Sequence, residues 1–384
     1  MLPYKGTIGI IGGGQLGKML IESSRPWNID YAILDLDDAP AKHLAKHFIY
    51  GSLTDGFRIE QLSEISDVMT YEIEHIDVKT LLELEEAGKV IIPSPKILEI
   101  IQDKGLQKLF YRLHKVPTLN FELVDEPSQL KEKLALLNGK MVAVKSRTDG
   151  YDGKGVALLS FADLMGERVP FPFAGPVLLE EFAENAIELS VIVARDAKGN
   201  VKTYPTCEMQ FDPKANLVEY LFAPASIDEK TDQKAQNIAI DVINKLHGVG
   251  VFAVELFLDE KGDVYVNEIA PRPHNSGHHT IEACYTSQYE QLNRILLGMP
   301  LGDTSLIQPA AMLNLLGAEG VSGKYEITGL DEILSIPGVY IHLYNKAETR
   351  PKRKMGHITI MAPTIEEVKV NASKVKAAIG MKQL

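Results

Sequence analysis

Residues 251–280 read VFAVELFLDEKGDVYVNEIAPRPHNSGHHT, and this stretch decides how the chain is interpreted. Two apolar, β-rich segments, Val251–Leu258 and Val264–Ile269, flank a turn-like tetrapeptide that contains Lys261-Gly262. This pattern predicts a β-hairpin. If Lys261-Gly262 forms a two-residue loop, the numbers of facing residues sum to a constant.

In that register Glu255 faces Glu268, and Leu256 faces Asn267. Two carboxylates opposite each other on one face of a sheet repel and destabilise the pairing. A cation between them removes the repulsion, and hard oxygen ligands select Mg²⁺ or Mn²⁺. The alternative is a surface hairpin with solvated glutamates, but the apolar residues around Glu268 argue against simple exposure.

The segment after the hairpin is rich in hydrogen-bond donors. It reads Arg272-Pro273-His274-Asn275-Ser276-Gly277-His278 and has no regular periodicity. A divalent cation beside cationic and amide donors is the equipment of phosphoryl or acyl-phosphate chemistry. Zinc is a poor alternative for the histidines, because no cysteine or HExxH pattern accompanies them.

Composition excludes several classes of protein. The 384 residues are 45% hydrophobic and 24% charged, as in ordinary globular chains of two or three domains. A formal charge of −12 argues against a general nucleic-acid or membrane-surface binder. The two cysteines, Cys207 and Cys284, offer no disulfide framework. We expect a cytoplasmic protein without signal peptide or membrane span.

Strand and helix patterns alternate over the first hundred residues, which predicts a parallel sheet with flanking helices. The predicted strands there are Thr7–Ile11, Tyr31–Leu36, Val68–Tyr71 and Val90–Ile92, and the predicted helices are Gln15–Ser24, Glu60–Ile65, Lys79–Ala87 and Lys96–His114. Later strands are short, and their connections are rich in glycine. We predict strands at Met141–Ser146, Ala157–Ser160, Val177–Phe182, Ile187–Ala194, Val201–Thr206, Ala310–Leu316, Val339–Tyr344 and Gly356–Met361, with helices at Asp232–Leu246, Ser287–Leu297 and Ile365–Ala378.

The first glycine loop, Gly12–Gly17, satisfies G-x-G-x-x-G between a strand and a helix. Asp35 and Asp37 follow the next strand, so the pattern fits a dinucleotide fingerprint. The alternative is that the glycines merely permit a tight turn. A lone match of this kind is weak, and an opposed-carboxylate hairpin has no role in hydride transfer.

The second glycine loop, 148–155, follows a strand that carries Lys145. Three glycines allow the backbone to close over phosphates, and Lys145 and Lys154 supply cations. The spacing is not that of a Walker loop, and a flexible hairpin tip is the alternative. The next apolar strand ends in Leu179-Glu180-Glu181-Phe182, whose backbone can read an adenine edge, while Glu188 can accept from a ribose.

A strand lysine, a Gly-rich lid, an acidic strand and opposed glutamates, in that order, resemble an ATP-grasp enzyme. The chain resembles more narrowly the 5-(carboxyamino)imidazole ribonucleotide synthetases, the PurK family, from about residue 6 to about residue 362. The matching segments are Gly12–Met19, Tyr71–His75, Gly150–Gly155, Asn267–His278, Ser287–Glu290 and Arg353–His357.

This resemblance implies a fold of α/β and α+β parts with ATP-grasp architecture. We expect a Rossmann-like N-terminal domain over 1–98 that does not use NAD. A two-lobed ATP-grasp domain over 99–299 follows, with its lid lobe at about 118–185, and then a small β-rich C-terminal domain over 300–384 that ends in a helix. The implied reaction is ATP- and bicarbonate-dependent carboxylation of aminoimidazole ribonucleotide in purine biosynthesis, by a homodimer that uses Mg²⁺ or Mn²⁺.

The resemblance also assigns residues. ATP is assigned to Lys104, Lys145, Gly150, Tyr151, Asp152, Gly153, Lys154, Gly155, Val156, Glu180, Glu181, Phe182, Ala183, Glu188, Asn267 and Glu268. The metal is assigned to Glu255 and Glu268, bicarbonate to the catalytic residues Arg272, His274 and Asn275, and the ribonucleotide to Glu72, Glu74, Tyr151, Asp152, Arg272, Lys346 and Arg353. The chain departs from the family at Phe211, where many relatives have a histidine, and at Lys104, where relatives often have arginine.

Three alternatives stay open at this point. One is another ATP-grasp carboxylate–amine ligase, such as a formate-dependent glycinamide ribonucleotide transformylase or a biotin carboxylase. The second is an NAD-linked oxidoreductase. The third is an inactive nucleotide-binding regulator, which the retention of both glutamates and both lysines disfavours.

Overall fold

A computed structural model describes residues 6–137, 140–148, 155–166, 172–212 and 217–384. The predictions for Gly150, Tyr151, Asp152, Gly153 and Lys154 lie outside these residues. None of the helices within the described ranges is long and apolar enough to cross a bilayer.

Nineteen strands and twelve α-helices occur in the described residues. The strands are β1 Thr7–Ile11, β2 Asp30–Asp35, β3 His47–Tyr50, β4 Val68–Tyr71, β5 Phe121–Val124, β6 Met141–Ser146, β7 Val156–Ser160, β8 Val177–Glu181, β9 Ile187–Arg195, β10 Val201–Thr203, β11 Cys207–Asp212, β12 Leu217–Ala223, β13 Gly250–Leu258, β14 Val264–Ala270, β15 Ala310–Leu316, β16 Tyr325–Thr328, β17 Val339–Leu343, β18 Lys354–Met361 and β19 Gly380–Gln383. The helices are α1 Gln15–Ser23, α2 Gly56–Glu64, α3 Val78–Glu86, α4 Pro95–Gln102, α5 Lys104–Leu113, α6 Leu130–Leu134, α7 Phe161–Met165, α8 Glu229–Lys245, α9 Thr280–Ala283, α10 Gln288–Leu296, α11 Leu330–Leu334 and α12 Ile365–Ala378.

The N-terminal sheet is parallel, in the order β3-β2-β1-β4, as the alternating pattern predicts. One face packs against α1 and α10, and the other packs against α2 and α3. Two details of the prediction are wrong. Val90–Ile92 forms only a single bridge, between Met69 and Ile91, and the edge strand β3 was not predicted.

The predicted single helix Lys96–His114 is two helices that meet at Asp103. This residue has an extended backbone (φ −114°, ψ 108°), and its carboxylate accepts hydrogen bonds from the N–H groups of Gly105 and Leu106. Asp103 therefore starts α5 in a new direction as its N-cap. The face of α5 that carries Lys104 and Lys108 now lies against the hairpin strands.

The lid lobe is a four-stranded antiparallel sheet in the order β5-β8-β6-β7. Val142, Val144 and Leu179 point from this sheet into a small core with α6 and α7. Alternation along β6 leaves Lys145 on the opposite face, as a strand with one buried face requires.

Nine of the remaining strands form one sheet in the order β14-β13-β9-β11-β12-β15-β18-β17, with β10 added to β9, and β16 and β19 pair separately as a two-stranded antiparallel sheet. Strands β15, β17 and β18 lie beyond residue 299, so the sheet continues across the predicted boundary of the C-terminal domain. The β13–β14 hairpin is therefore physically continuous with the C-terminal strands. Burial of α8 against β9, β13 and β14 anchors the hairpin from behind.

Candidate active site

The hairpin pairs Glu255 with Glu268 as predicted, but the loop length and the strand register that lead to this pairing differ from the predicted ones. The loop has three residues, not two: Asp259 N–H bonds Asp263 O at 2.9 Å, and Gly262 takes φ +82°. This slips the ladder by one residue, so Leu256 faces Val266, and the predicted pairing of Leu256 with Asn267 is wrong. A β-bulge at Asn267 then restores the register.

The bulge decides where Glu268 points. Val264 and Val266 are buried in the core under α8, so strict alternation would send residue 268 into the same core. The extra residue reverses the alternation, so Ile269 enters the core. Asn267 and Glu268 reach the site instead, where Lys145 Nζ donates to Asn267 Oδ1 at 3.0 Å.

Helix α5 covers the open edge of β14 beside the bulge. Gln107 Oε1 accepts from the N–H of Ile269 at 3.0 Å, and Lys108 Nζ and Thr118 Oγ1 donate to Val266 O at 3.3 and 2.8 Å. These contacts satisfy backbone groups that an edge strand leaves unpaired. They fix the bulge from outside the hairpin.

The two carboxylates have different surroundings. Lys104 Nζ lies 2.5 Å from Glu268 Oε2 and lowers the pKa of Glu268. Burial, with Glu268 opposite, raises the pKa of Glu255. Nowhere in the part of the chain that the structure describes do three His, Cys, Asp or Glu side chains form a cage for a metal ion. Mg²⁺ in phosphate sites takes only one or two carboxylates, the rest being phosphate and water, so this facing pair fits it.

A buried ion triad lies beside this pair. Glu180 is 1% exposed and contacts both Lys108 Nζ and Lys145 Nζ, the latter at 2.6 Å. Burial lowers the pKa of Lys108 to about 8. The Glu180 carboxylate is thus engaged by two ammonium groups. Sequence reasoning missed Lys108, although its position one helical turn after Lys104 was a usable signal.

The residues assigned to adenosine lie at the junction of the lid and the body. Phe182 is 43% exposed, Glu181 accepts from Asn120 Nδ2 at 2.8 Å, and burial raises the pKa of Glu188 to about 7. Ala183 is the residue directly after Phe182. Phe211 packs against a cluster formed by residues of β11, β12 and β15.

At the described end of the second glycine loop, Gly155 O accepts from Ser146 N–H at 2.7 Å. The following residue, Val156, pairs with Lys145 across the β6–β7 ladder. The lid strand that carries Lys145 is therefore directly joined to the end of this loop.

The loop after the hairpin places Arg272 and His274 on the same site. Arg272 Nη2 lies 2.8 Å from Glu74 Oε1, which links the loop to the N-terminal domain. Ser276 N–H donates to His274 Nδ1 at 3.3 Å, so Nδ1 is an acceptor in the neutral ring. The proton then resides on Nε2, which faces Glu255 Oε1 at 3.4 Å.

The carboxamide of Asn275 is held by another buried side chain. Its carboxamide exchanges two hydrogen bonds of 2.9 Å with the carboxamide of Asn314 on β15. Asn314 Nδ2 also donates to Val218 O. The reciprocal pair ties the loop to the C-terminal strands.

The first glycine loop is filled by a side chain of the protein itself. Glu72 accepts hydrogen bonds from the N–H groups of Gly14 and Gly17, at the N-terminus of α1. Burial raises the pKa of Glu72 to about 7. A dinucleotide pyrophosphate would use these same amides. The carboxylate of Glu72 therefore replaces the anion that the fingerprint implies.

We expect Gly14→Ala to destabilise the protein, because an added Cβ would lie 2.5 Å from Glu72 Oε1. Thermal unfolding should shift down by several degrees, equivalent to about 1–3 kcal/mol. Gly175→Ala is the control, since a Cβ there meets nothing within 4 Å.

A nicotinamide fluorescence titration of the unmodified protein should show no NAD binding, and tight binding would contradict this interpretation of the first glycine loop.

Lys346 and Arg353 lie in the turn between β17 and β18. Lys346 Nζ donates to Lys354 O at 2.8 Å, and Arg353 Nη1 donates to Glu348 O at 2.7 Å. Positive φ angles at Asn345 and Lys352 shape this turn. Both cations are only partly buried.

A lid sheet with an inward lysine, a hairpin with opposed carboxylates and a loop with cationic donors define an ATP-grasp ligase. Family models agree with this class. Residues 5–102 match the ribonucleotide synthetase preATP-grasp domain, residues 109–289 the ATP-grasp domain, and residues 310–371 the phosphoribosylaminoimidazole carboxylase C-terminal domain.

Similar proteins narrow the class further. The N5-carboxyaminoimidazole ribonucleotide synthase of Bacillus subtilis is 37% identical over 366 residues, which cover 95% of this chain and 94% of that protein. The crystal structure of N5-carboxyaminoimidazole ribonucleotide synthetase from Thermotoga maritima is 43% identical, with a TM-score of 0.90 over 99% of this chain and 100% of that one. The Aspergillus clavatus enzyme in complex with ADP and 5-aminoimidazole ribonucleotide is 33% identical, with a TM-score of 0.89 over 98% of both chains.

The chain belongs to the family of N5-carboxyaminoimidazole ribonucleotide synthetases. Eukaryotic relatives are longer. The chloroplastic phosphoribosylaminoimidazole carboxylase of Vigna aconitifolia is 37% identical over 374 residues, which are 96% of this chain but 66% of that protein. The chain thus spans about two thirds of the length of these relatives.

Proposed function

We propose that this ligase carboxylates the exocyclic amine of 5-aminoimidazole ribonucleotide, with ATP and bicarbonate as co-substrates. One observation carries the proposal: Glu255 and Glu268 face each other in contact with His274 and Lys104. Lys145 contacts the same strand through Asn267, and Arg272 lies two residues after the end of that strand. Anionic substrates can therefore meet among cations and donors.

In the proposed chemistry an oxygen of bicarbonate attacks the γ-phosphorus of ATP and releases ADP. The product is carboxyphosphate, whose carboxyl carbon, directly or as released carbon dioxide, is taken by the amine nitrogen. Phosphate leaves, and the amine loses a proton. Lys145 and Arg272 offset the negative charge that gathers when the two anions meet.

Mg²⁺, or Mn²⁺, would be held by Glu255 and Glu268 and would neutralise phosphate charge. His274, whose Nε2 faces Glu255 beside the proposed metal, donates from there toward an oxygen of bicarbonate. Arg272 supplies a planar donor group, and Glu74 orients that group from the N-terminal domain. Glu72, engaged by the glycine loop, shapes the acceptor side without direct chemistry.

The proposal is tested by ATP hydrolysis measured with and without bicarbonate and 5-aminoimidazole ribonucleotide. We expect phosphate release to require both, and the ribonucleotide to gain one carboxyl group per ATP. Bicarbonate-dependent hydrolysis with another amine acceptor, and none with this ribonucleotide, would favour a different ATP-grasp ligase. Hydrolysis that neither compound stimulates would contradict the proposal.

We expect Arg353→Ala to raise the Michaelis constant for the ribonucleotide about tenfold or more, since a charge-assisted contact to its 5′-phosphate would be lost. The ATP constant should stay within about twofold. Lys382→Ala is the control, because Lys382 pairs with Glu326 on the surface of the same domain. A rise in the Michaelis constant for ATP, with an unchanged Michaelis constant for the ribonucleotide, would show that this turn does not contribute to the acceptor site.

The family resemblance also supports a cytoplasmic homodimer as the working form. Light scattering during size-exclusion chromatography would measure the mass directly. A mass of 42.4 kDa would show a monomer, and twice that value would support the dimer.

A further inference from the structure

Gln288 grips the backbone of His274 with both ends of its side chain. Gln288 Oε1 accepts from His274 N–H at 2.9 Å, and Gln288 Nε2 donates to His274 O at 2.8 Å. The side chain is 0% exposed. Because both groups of one peptide residue are bound, the clamp fixes the position and the tilt of the His274 backbone.

The surroundings of Gln288 hold the clamp itself in place. Gln288 is the first residue of α10, and its own N–H donates to Thr280 Oγ1 at 3.0 Å. Thr280 Oγ1 in turn donates to Gly277 O at 2.6 Å. A Cβ on Gly277 would lie 2.4 Å from Gln288 Oε1, so the carboxamide fills the space that any larger residue would need.

The loop needs such a clamp. His274 has extended backbone angles (φ −128°, ψ 157°) and lies between the end of β14 and a single 3₁₀ turn at Asn275–Gly277. The turn pairs the C=O, since Gly277 N–H donates to His274 O at 2.9 Å, but it does not pair the N–H. A buried backbone group without a partner is costly, and Gln288 supplies the partner of the His274 N–H and a second donor to its C=O.

We infer that Gln288 is a positioning residue for the reaction, acting through His274 on the bicarbonate step and not on ATP binding. The inference rests on the proposed function, because it takes His274 as a group that contacts bicarbonate. Displacement of the reacting groups by about 1 Å can lower a rate on the order of a hundredfold. Loss of the clamp should have an effect of that size on turnover.

The same helix contains a matched control. Gln291, also 0% exposed, binds the backbone of Gly302 in the same way: Oε1 accepts from Gly302 N–H at 2.8 Å, and Nε2 donates to Gly302 O at 3.4 Å. None of the residues assigned to a substrate or metal is part of this second clamp. Replacing either glutamine by methionine removes one buried bidentate contact of similar geometry.

The test compares Gln288→Met with Gln291→Met by steady-state kinetics, ATP titration calorimetry and thermal unfolding. Both variants should lose similar thermal stability. Turnover of Gln288→Met should fall on the order of a hundredfold with ATP affinity within about twofold, while Gln291→Met stays within about threefold of the unmodified enzyme. Equal turnover of the two variants would overturn the inference.

Gln288→Glu adds a readout that a purely structural role would not move. A buried glutamic acid has a raised pKa, and its neutral form can donate an O–H to His274 O as the amide does. The titratable side chains in contact with this carboxamide are His278 and Tyr289. Burial lowers the pKa of His278 and raises the pKa of Tyr289 well above its usual value, so both stay neutral. Turnover of Gln288→Glu relative to the unmodified enzyme should therefore rise several-fold from about pH 8.5 to about pH 6.5.

If Gln288→Met does not fold, the turnover of Gln288→Glu relative to the unmodified enzyme is the remaining test. A relative turnover that does not change with pH would then overturn the inference. Failure of the proposed function is a separate outcome. It would show as an unmodified enzyme whose ATP hydrolysis needs neither bicarbonate nor ribonucleotide.

Discussion

Glu268→Gln should lower turnover on the order of a thousandfold, equivalent to about 4 kcal/mol of transition-state stabilisation. The substitution removes one of the two facing anions proposed to hold Mg²⁺. The fold should survive, since the like-charge repulsion with Glu255 is relieved and the amide oxygen can still accept from Lys104. Steady-state phosphate release, with circular dichroism on the same sample, measures both effects.

Glu260→Gln is the matched control for this experiment. It removes the same charge from the same hairpin, but Glu260 lies at the exposed tip, where it accepts from Asn185 Nδ2. Its turnover should stay within about twofold of the unmodified enzyme. If Glu268→Gln also stays near that rate at ordinary Mg²⁺ concentration, the opposed carboxylates do not hold the metal.

Arg272→Gln should lower turnover by about a hundredfold or more, because the planar guanidinium would be lost where two anions meet. Glu74, which now contacts Arg272, would be left without this partner in the site. ATP affinity should change little, since Lys145, which contacts Asn267, and not Arg272 is assigned to the ATP phosphates. Turnover and nucleotide titration measure the two quantities separately.

Arg294→Gln gives the comparison for this variant. Arg294 pairs with Glu290 one turn away on α10, in a partly exposed i,i+4 ion pair remote from the residues assigned to substrates. Its turnover should be unchanged within about twofold. Equal losses in both arginine variants would point to general destabilisation and contradict the specific role of Arg272.

Much of this architecture could be predicted from local sequence. Strands Thr7–Ile11, Met141–Ser146 and Ala310–Leu316 agree with their predicted bounds, because each is an apolar run between clear turn signals. The helix break at Asp103 had a local signal too, since aspartate is a preferred N-cap. The facing of Glu255 and Glu268 was predicted correctly although the loop length behind it was wrong.

Other features depend on contacts between distant segments. The bulge at Asn267 is fixed by Gln107 and Lys108 of α5, and no pattern within β14 announces it. Lys108 and Glu180 meet only after the lid has folded onto α5. The filling of the first glycine loop by Glu72 likewise requires β4 to lie beside β1. The motif spacing fits a site for a bound pyrophosphate, but in the structure the carboxylate of Glu72 occupies that place.

The bulge residue Asn267 serves the site and not the regular pairing of the two strands. Without Asn267, the sequence Val264-Tyr265-Val266-Glu268-Ile269 would alternate without interruption, and Glu268 would still oppose Glu255. Such a shortened ribbon would be the more regular and sturdier sheet, but Lys145 would have no amide to meet. The extra residue Asn267 thus costs the hairpin one regular ladder position and supplies the amide that Lys145 contacts.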